Sequence, residues 1–82
     1  MEIKNLDHLV LTVADIDKTI EFYTNIMGFE VVIFGDNRKA LTFGNQKINL
    51  HQKGHEFEPK AERPTSGSAD LCFIAQTETF IM

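Results

Sequence analysis

The chain has 82 residues, of which 43% are hydrophobic, and it carries a net charge of −4. That length holds one small domain with a thin core, and the acidic balance argues against nucleic acid or an anionic membrane as partner. A single cysteine, Cys72, cannot staple the fold internally, no apolar run reaches a membrane span, and the N-terminus shows no signal-peptide pattern, so the expected compartment is the cytoplasm.

Met1 to Asn5 is a short polar lead. From His8 to Val13 the residues alternate, with His8, Val10 and Thr12 on one face and Leu9, Leu11 and Val13 on the other. The β-branched content predicts a strand, and its wholly aliphatic face calls for a helix packed on it. Asp15 is a suitable N-cap for that helix, since its carboxylate can accept from the first free amides at the positive end of the dipole. Ile16, Ile20, Tyr23 and Met27 recur at helical spacing and form an apolar stripe, widened by Phe22 and Ile26. Asp17, Lys18, Glu21 and Asn25 fall largely elsewhere and face water. Gly28 stands where a left-handed residue ends a helix, and Phe29 to Phe34 resumes a strand. The result is a β-α-β unit.

Gly35-Asp36-Asn37 reads as a turn. Lys39 to Phe43 alternates as a third strand, with Ala40 and Thr42 opposed to Lys39, Leu41 and Phe43. Gly44-Asn45 is a two-residue hairpin signal, and Lys47 to Gln52 is the return strand. Ile48 and Leu50 share its aliphatic face, so Asn49 and His51 look the same way as His8. Lys53 to Ser68 holds two glycines, both prolines and many charges without periodicity, which marks a linker or a functional loop. Ala69 to Ala75 alternates again, Asp70, Cys72 and Ile74 against Leu71, Phe73 and Ala75, and predicts a further strand. DHLVLTVAD near the start is echoed by DLCFIAQTE near the end, as though a second module begins at Asp70 and then stops.

The order β-α-β-β-β, with DHLVLTVADIDKTIEFYTNIMGFEVV and RKALTFGNQKINLH, resembles the glyoxalase/bleomycin-resistance/dioxygenase group, the vicinal-oxygen-chelate superfamily. The features that carry the resemblance are the aspartate-histidine strand, the V-x-D helix start, the Phe22-Tyr23 pair and Met27-Gly28-Phe29. It implies two modules paired into a cup around one divalent metal ion, which polarises vicinal oxygens of a small oxygenated molecule as a Lewis acid. It also implies ligands on inward-facing positions of the first and last strands. His8 matches the ligand of the first module. Asn49 matches a fourth-strand position where a glutamate is frequent, His51 lies one inward step further on, and Asp70 matches the histidine that opens a second module. The metal candidates are therefore His8, His51 and Asp70, and the substrate-binding candidates are Asn49 and Arg38. A glutamate on the last strand of a second module has no counterpart in these residues.

Each candidate also has a plainer reading. His8 can be a hydrogen-bonded structural histidine, His51 a partly exposed strand-end residue, and Asp70 a carboxylate paired with a loop amide. His55, between charged neighbours, reads as solvated. Arg38 with Lys39 can be an ordinary charged hairpin entry rather than a grip on an anionic substrate. Phe22 and Tyr23 read as core packing, and Cys72 as a buried small hydrophobe.

The sequence thus predicts an α+β fold with one β-α-β-β-β module over residues 3–52, a linker at 53–68 and an extra strand at 69–76. A half-cup leaves a sheet edge open, which predicts completion by strand pairing or strand exchange in a homodimer. Three functional expectations stand. The first is a metal-dependent enzyme of lyase or dioxygenase type. The second is a metal-free protein that binds or sequesters a small molecule, and the third is a shortened product without activity.

Overall fold

The computed structural model describes residues 1–76. It contains β1 (Leu9–Val13), α1 (Ile16–Asn25), β2 (Glu30–Phe34), β3 (Arg38–Phe43) and β4 (Gln46–Gln52). They form a single β-α-β-β-β module of α+β class. The sheet order is β1-β4-β3-β2, with β1 parallel to β4 and the other two pairings antiparallel. The crossover between β1 and β2 is the helix, which packs on one face of the sheet.

Local chemistry accounts for the element ends. Asp15 is extended and its side chain accepts from the Lys18 amide, capping the helix N-terminus. After the helix, Gly28 adopts a positive φ of 75° while the Phe29 amide donates back to the Tyr23 carbonyl at 2.9 Å. In the tight turn between β3 and β4, Gly44 alone of its two central residues takes a positive φ, the type II′ pattern that matches strand twist.

Register settles which residues share a face. Leu9, Leu11 and Val13 of β1 lie beside Ile48, Leu50 and Gln52 of β4, and Leu41 of β3 lies beside Ile48. On this helix face the core closes around Phe29, Leu41, Ile48 and Leu50, and Ile16, Ile20, Tyr23 and Met27 pack down onto it. Phe29 stacks between Tyr23 and Phe43, with ring centroids at 5.3 and 4.4 Å. The α1 stripe read from spacing is therefore the one that packs, partly buried, on the core.

Several expectations change. Phe22 and Ile26 flank the stripe but remain 40% and 49% exposed, because a four-stranded sheet under a ten-residue helix covers only the central stripe. Phe22 merely leans edge-on against Tyr23. The strand expected at Ala69–Ala75 makes no ladder among the described residues. Its alternation is used differently. Leu71 and Phe73 pack inward against the core, Phe73 edge-on to Phe29 and Phe43, while Cys72 and Ile74 point outward. Cys72 is thus exposed, and its expected burial is corrected. No helix among the described residues is long and apolar enough to cross a membrane.

Candidate functional site

The face of the sheet opposite the helix carries the polar residues. Val10 pairs with Asn49, which pairs with Ala40, which pairs with Val32, forming one row across all four strands. Thr12 lies beside His51 on one flank of that row, and Phe34 lies beside Arg38 on the other sheet edge. The Lys47 ammonium of β4 stands 4.7 Å from the centre of the Phe34 ring on β2. Groups on strands that are not neighbours meet in this way only over a sheet that curls, so this open face is concave.

Part of the loop roofs it. The Arg38 guanidinium lies 4.5 Å from the Phe57 ring and 5.5 Å from the Phe34 ring, a cation held between two aromatic faces. Phe57 also sets its edge against His51 at 5.9 Å. A pocket of about 270 Å³ remains beneath, lined by Val10, Thr12, His51, Pro59, Lys60 and Ala61. The stretch read as a linker is therefore, over residues 57–61, the lid of a cleft.

The roof leaves His51 2% exposed, which corrects the reading of a partly exposed strand-end residue. Among the described residues its Nδ1 has no hydrogen-bond partner, and neither has Asn49 Oδ1 two residues away on the same face. Two buried polar atoms without partners cost free energy, and in native proteins they commonly mark a functional position. Burial disfavours the charged imidazole of His51, and the nearby Arg38 cation adds to this, so its pKa is lowered from the usual 6.5. At neutral pH the ring is neutral. It offers one donor nitrogen and one acceptor, beside an acceptor oxygen from Asn49.

His8 occupies a different place. It precedes β1, is exposed, and its Nδ1 lies 2.8 Å from Asp7 Oδ2. That hydrogen bond, reinforced by the charge of His8, lowers the Asp7 pKa. Continued register puts His8 four residues from the Thr12–His51 pair, about 13 Å along the strand at the usual rise. Asp70 is exposed on the tail and borders the clefts along β1 and beside Phe29 and Phe43. Among the described residues no three His, Cys, Asp or Glu side chains gather as a metal ion requires. His8, His51 and Asp70 of one chain therefore do not by themselves fit a divalent metal, whose nitrogen and oxygen ligands sit at about 2.0–2.2 Å. What one chain does bring together is His51 and Arg38, both against the Phe57 ring, with Asn49 two residues from His51 on the same face.

Two features escaped the sequence reading. Gln52 bridges the sheet to the helix start, its Oε1 accepting from the Ile16 amide at 2.9 Å and its Nε2 donating to the Ala14 carbonyl at 2.6 Å. Its partners lie 36 and 38 positions away, so no local signal could disclose it. Glu56 accepts from the Gly54 amide, which lowers its pKa and pins the loop as it leaves β4.

The chain is 66% identical over 77 residues to virulence protein STM3117 of Salmonella typhimurium, covering 94% of this chain and 54% of that protein. The crystal structure of that protein superposes with a TM-score of 0.90, over 94% of this chain and 61% of the crystallised one. The glyoxalase domain-containing protein RDO1 of Mycosarcoma maydis is 64% identical over 74 residues, 90% of this chain and 42% of its own length. A more distant relative, metallothiol transferase FosB of Staphylococcus epidermidis, is 34% identical over 53 residues, 65% of this chain and 37% of that protein. The chain spans about half the length of the two more similar curated relatives. A family model matches residues 5–78, and the chain belongs to the glyoxalase/bleomycin resistance protein/dioxygenase superfamily.

Proposed function

We propose that the chain is a glyoxalase/dioxygenase-type module that binds a small oxygenated molecule in the roofed cleft of its open face. The observation that supports this most is the pair of buried atoms without partners among the described residues, Asn49 Oδ1 and His51 Nδ1, on the face where the Arg38 guanidinium stacks on Phe57. A ligand hydroxyl donates to Asn49, a ligand oxygen accepts from the imidazole N–H, and Arg38 holds an adjacent carboxylate or carbonyl. Val10, Pro59 and Ala61 supply the apolar walls. In this reading the protein works as a homodimer.

A metal-dependent reaction of lyase or dioxygenase type is the further form of the same proposal, supported by superfamily membership and by a relative named as a metallothiol transferase. It requires His8, His51 and Asp70 to be contributed by more than one module, since the described residues of one chain do not gather three ligands. The metal-free binding reading rests directly on the cleft and needs no such assembly.

The test is saturation-transfer NMR with a fragment set of small hydroxyl, carbonyl and carboxyl compounds, alongside titration with Mn²⁺ alone. Binding that is lost in Asn49→Ala and in Arg38→Ala, with both variants folded, supports the cleft. Stoichiometric Mn²⁺ uptake abolished by His8→Ala adds the metal-dependent form. Fragments that bind equally well to both cleft variants, or no binding at all, would overturn the proposal.

A further inference from the structure

Lys47 and Phe34 start from distant corners of the open face. Lys47 pairs with Thr42 and Phe34 with Arg38, so the diagonal between them crosses β3 at Ala40. The small side chain there leaves room for a lysine stem to lie across the sheet, and Ala40 is 0% exposed. The Lys47 ammonium ends 4.7 Å from the centre of the Phe34 ring, and the Arg38 guanidinium lies 5.5 Å from the same centre. Both residues are half-buried.

Two like charges gathered on one ring repel each other, and the ring carries no net charge to offset them. Among the described residues neither makes an ion pair, those pairs being His8 with Asp7 and Lys39 with Asp17. Asp7 senses the charge of Lys47, and Glu56 that of His51, but both acids are engaged elsewhere, Asp7 with His8 and Glu56 with the Gly54 amide. A further cation, Lys60, lines the pocket beside His51. A chain of net charge −4 thus collects on one concave face cations that it does not neutralise itself. A cleft lined by one sign of charge attracts the opposite one.

We propose that this corner is a subsite for a dianion, so that the ligand of the cleft carries a phosphate monoester or a pair of carboxylates between the Arg38 guanidinium and the Lys47 ammonium. The inference deepens the function proposed above and rests on it. Arg38 takes two oxygens with its planar fork and sets their orientation, whereas Lys47 supplies a second charge with little demand on geometry. Asn49 stands beside Ala40 in register, so a ligand hydroxyl that donates to its Oδ1 is carried next to the anionic group.

The experiment is isothermal titration calorimetry of the whole chain at low ionic strength with malate, with its neutral diamide malamide, and with inorganic phosphate. At least one of the two anions binds at least about tenfold more tightly than malamide and weakens as KCl is added. Preference for phosphate assigns the monoester, and preference for malate the dicarboxylate. Lys47→Met keeps the stem over Ala40 and removes the charge. With unchanged circular dichroism it weakens the anion at least about tenfold and leaves malamide as it was, and Lys47→Arg restores most of the loss. The salt dependence is read on the wild type and needs no variant to fold. Malamide that binds as tightly as malate and phosphate overturns the dianion subsite, as does a folded Lys47→Met that holds the anion unchanged. In either case a malamide signal that is lost in Asn49→Ala leaves the cleft itself standing. Absence of binding by all three probes overturns the subsite, and the fragment set then decides the cleft separately.

Discussion

The two faces of this sheet are built from alternate residues of the same four strands, yet they serve opposite ends. On the helix face Leu41, Ile48 and Leu50 are almost fully buried, and the polar Gln52 has its side chain satisfied at both ends. On the open face Asn49 and His51 are covered with polar atoms unpaired, and a guanidinium is stacked between two rings. One face therefore spends its residues on cohesion. The other covers polar groups that find no partner among the described residues, at a cost in stability. Substitutions on the two faces should separate stability from binding.

The largest effect belongs to the centre of the helix face. Leu41 is fully buried on β3 between β2 and β4. Leu41→Ala should destabilise the chain by about 2–5 kcal/mol in urea or thermal unfolding, from lost transfer energy and a residual cavity. A cost below about 1 kcal/mol would mean that this face is not the core.

Next comes Gln52→Ala, which leaves the Ile16 amide and the Ala14 carbonyl without protein partners at the helix start. A loss of about 1–3 kcal/mol is expected by chemical denaturation. Gln52→Glu, which keeps the acceptor and places a negative charge at the helix N-terminus, should recover part of it. If both variants lose the same amount, the bridge to Ile16 is not what matters.

These two predictions mark how far the sequence could be read. Strands, helix, hairpin and face assignment follow from alternation, from Asp15 as a cap and from glycines at positive φ, all of which act within a few residues. The same local rules place Asn49 and His51 on the open face, as the register bears out. They could not show that Phe22 and Ile26 stay exposed, because the width of a buried stripe depends on what lies beneath it. Nor could they show that Leu71 and Phe73 are anchored by side chains rather than by a ladder. Burial of His51 is the hardest case. It is caused by Phe57 and its neighbours, in a segment with no periodicity to read.

On the open face, His51→Leu should reverse the sign seen on the helix face. It replaces an unpartnered buried imidazole with an apolar group that suits the Phe57 roof. Stability should be unchanged or rise by about 1 kcal/mol, while fragment binding in the cleft is lost. A loss as large as that of Gln52→Ala would show instead that the imidazole holds the face together.

The smallest effect is a pH dependence, and its sign follows from the same burial. Desolvation, with Arg38 nearby, lowers the folded-state pKa of His51 below its ordinary 6.5. Between those two values the unfolded chain binds a proton that the folded chain refuses, so stability rises with pH across the window. Read downward, the contribution is fully present above about 6.5 and is lost progressively as pH falls through the folded-state value. As pH falls below about 6.5, urea midpoints of the wild type should therefore decline more steeply than those of His51→Leu. The difference between the two curves isolates His51, because the exposed His8 and His55 are common to both proteins. Parallel curves would mean that the roof opens easily enough to let the imidazole charge at no cost. The Phe57 lid would then be loose before any ligand arrives.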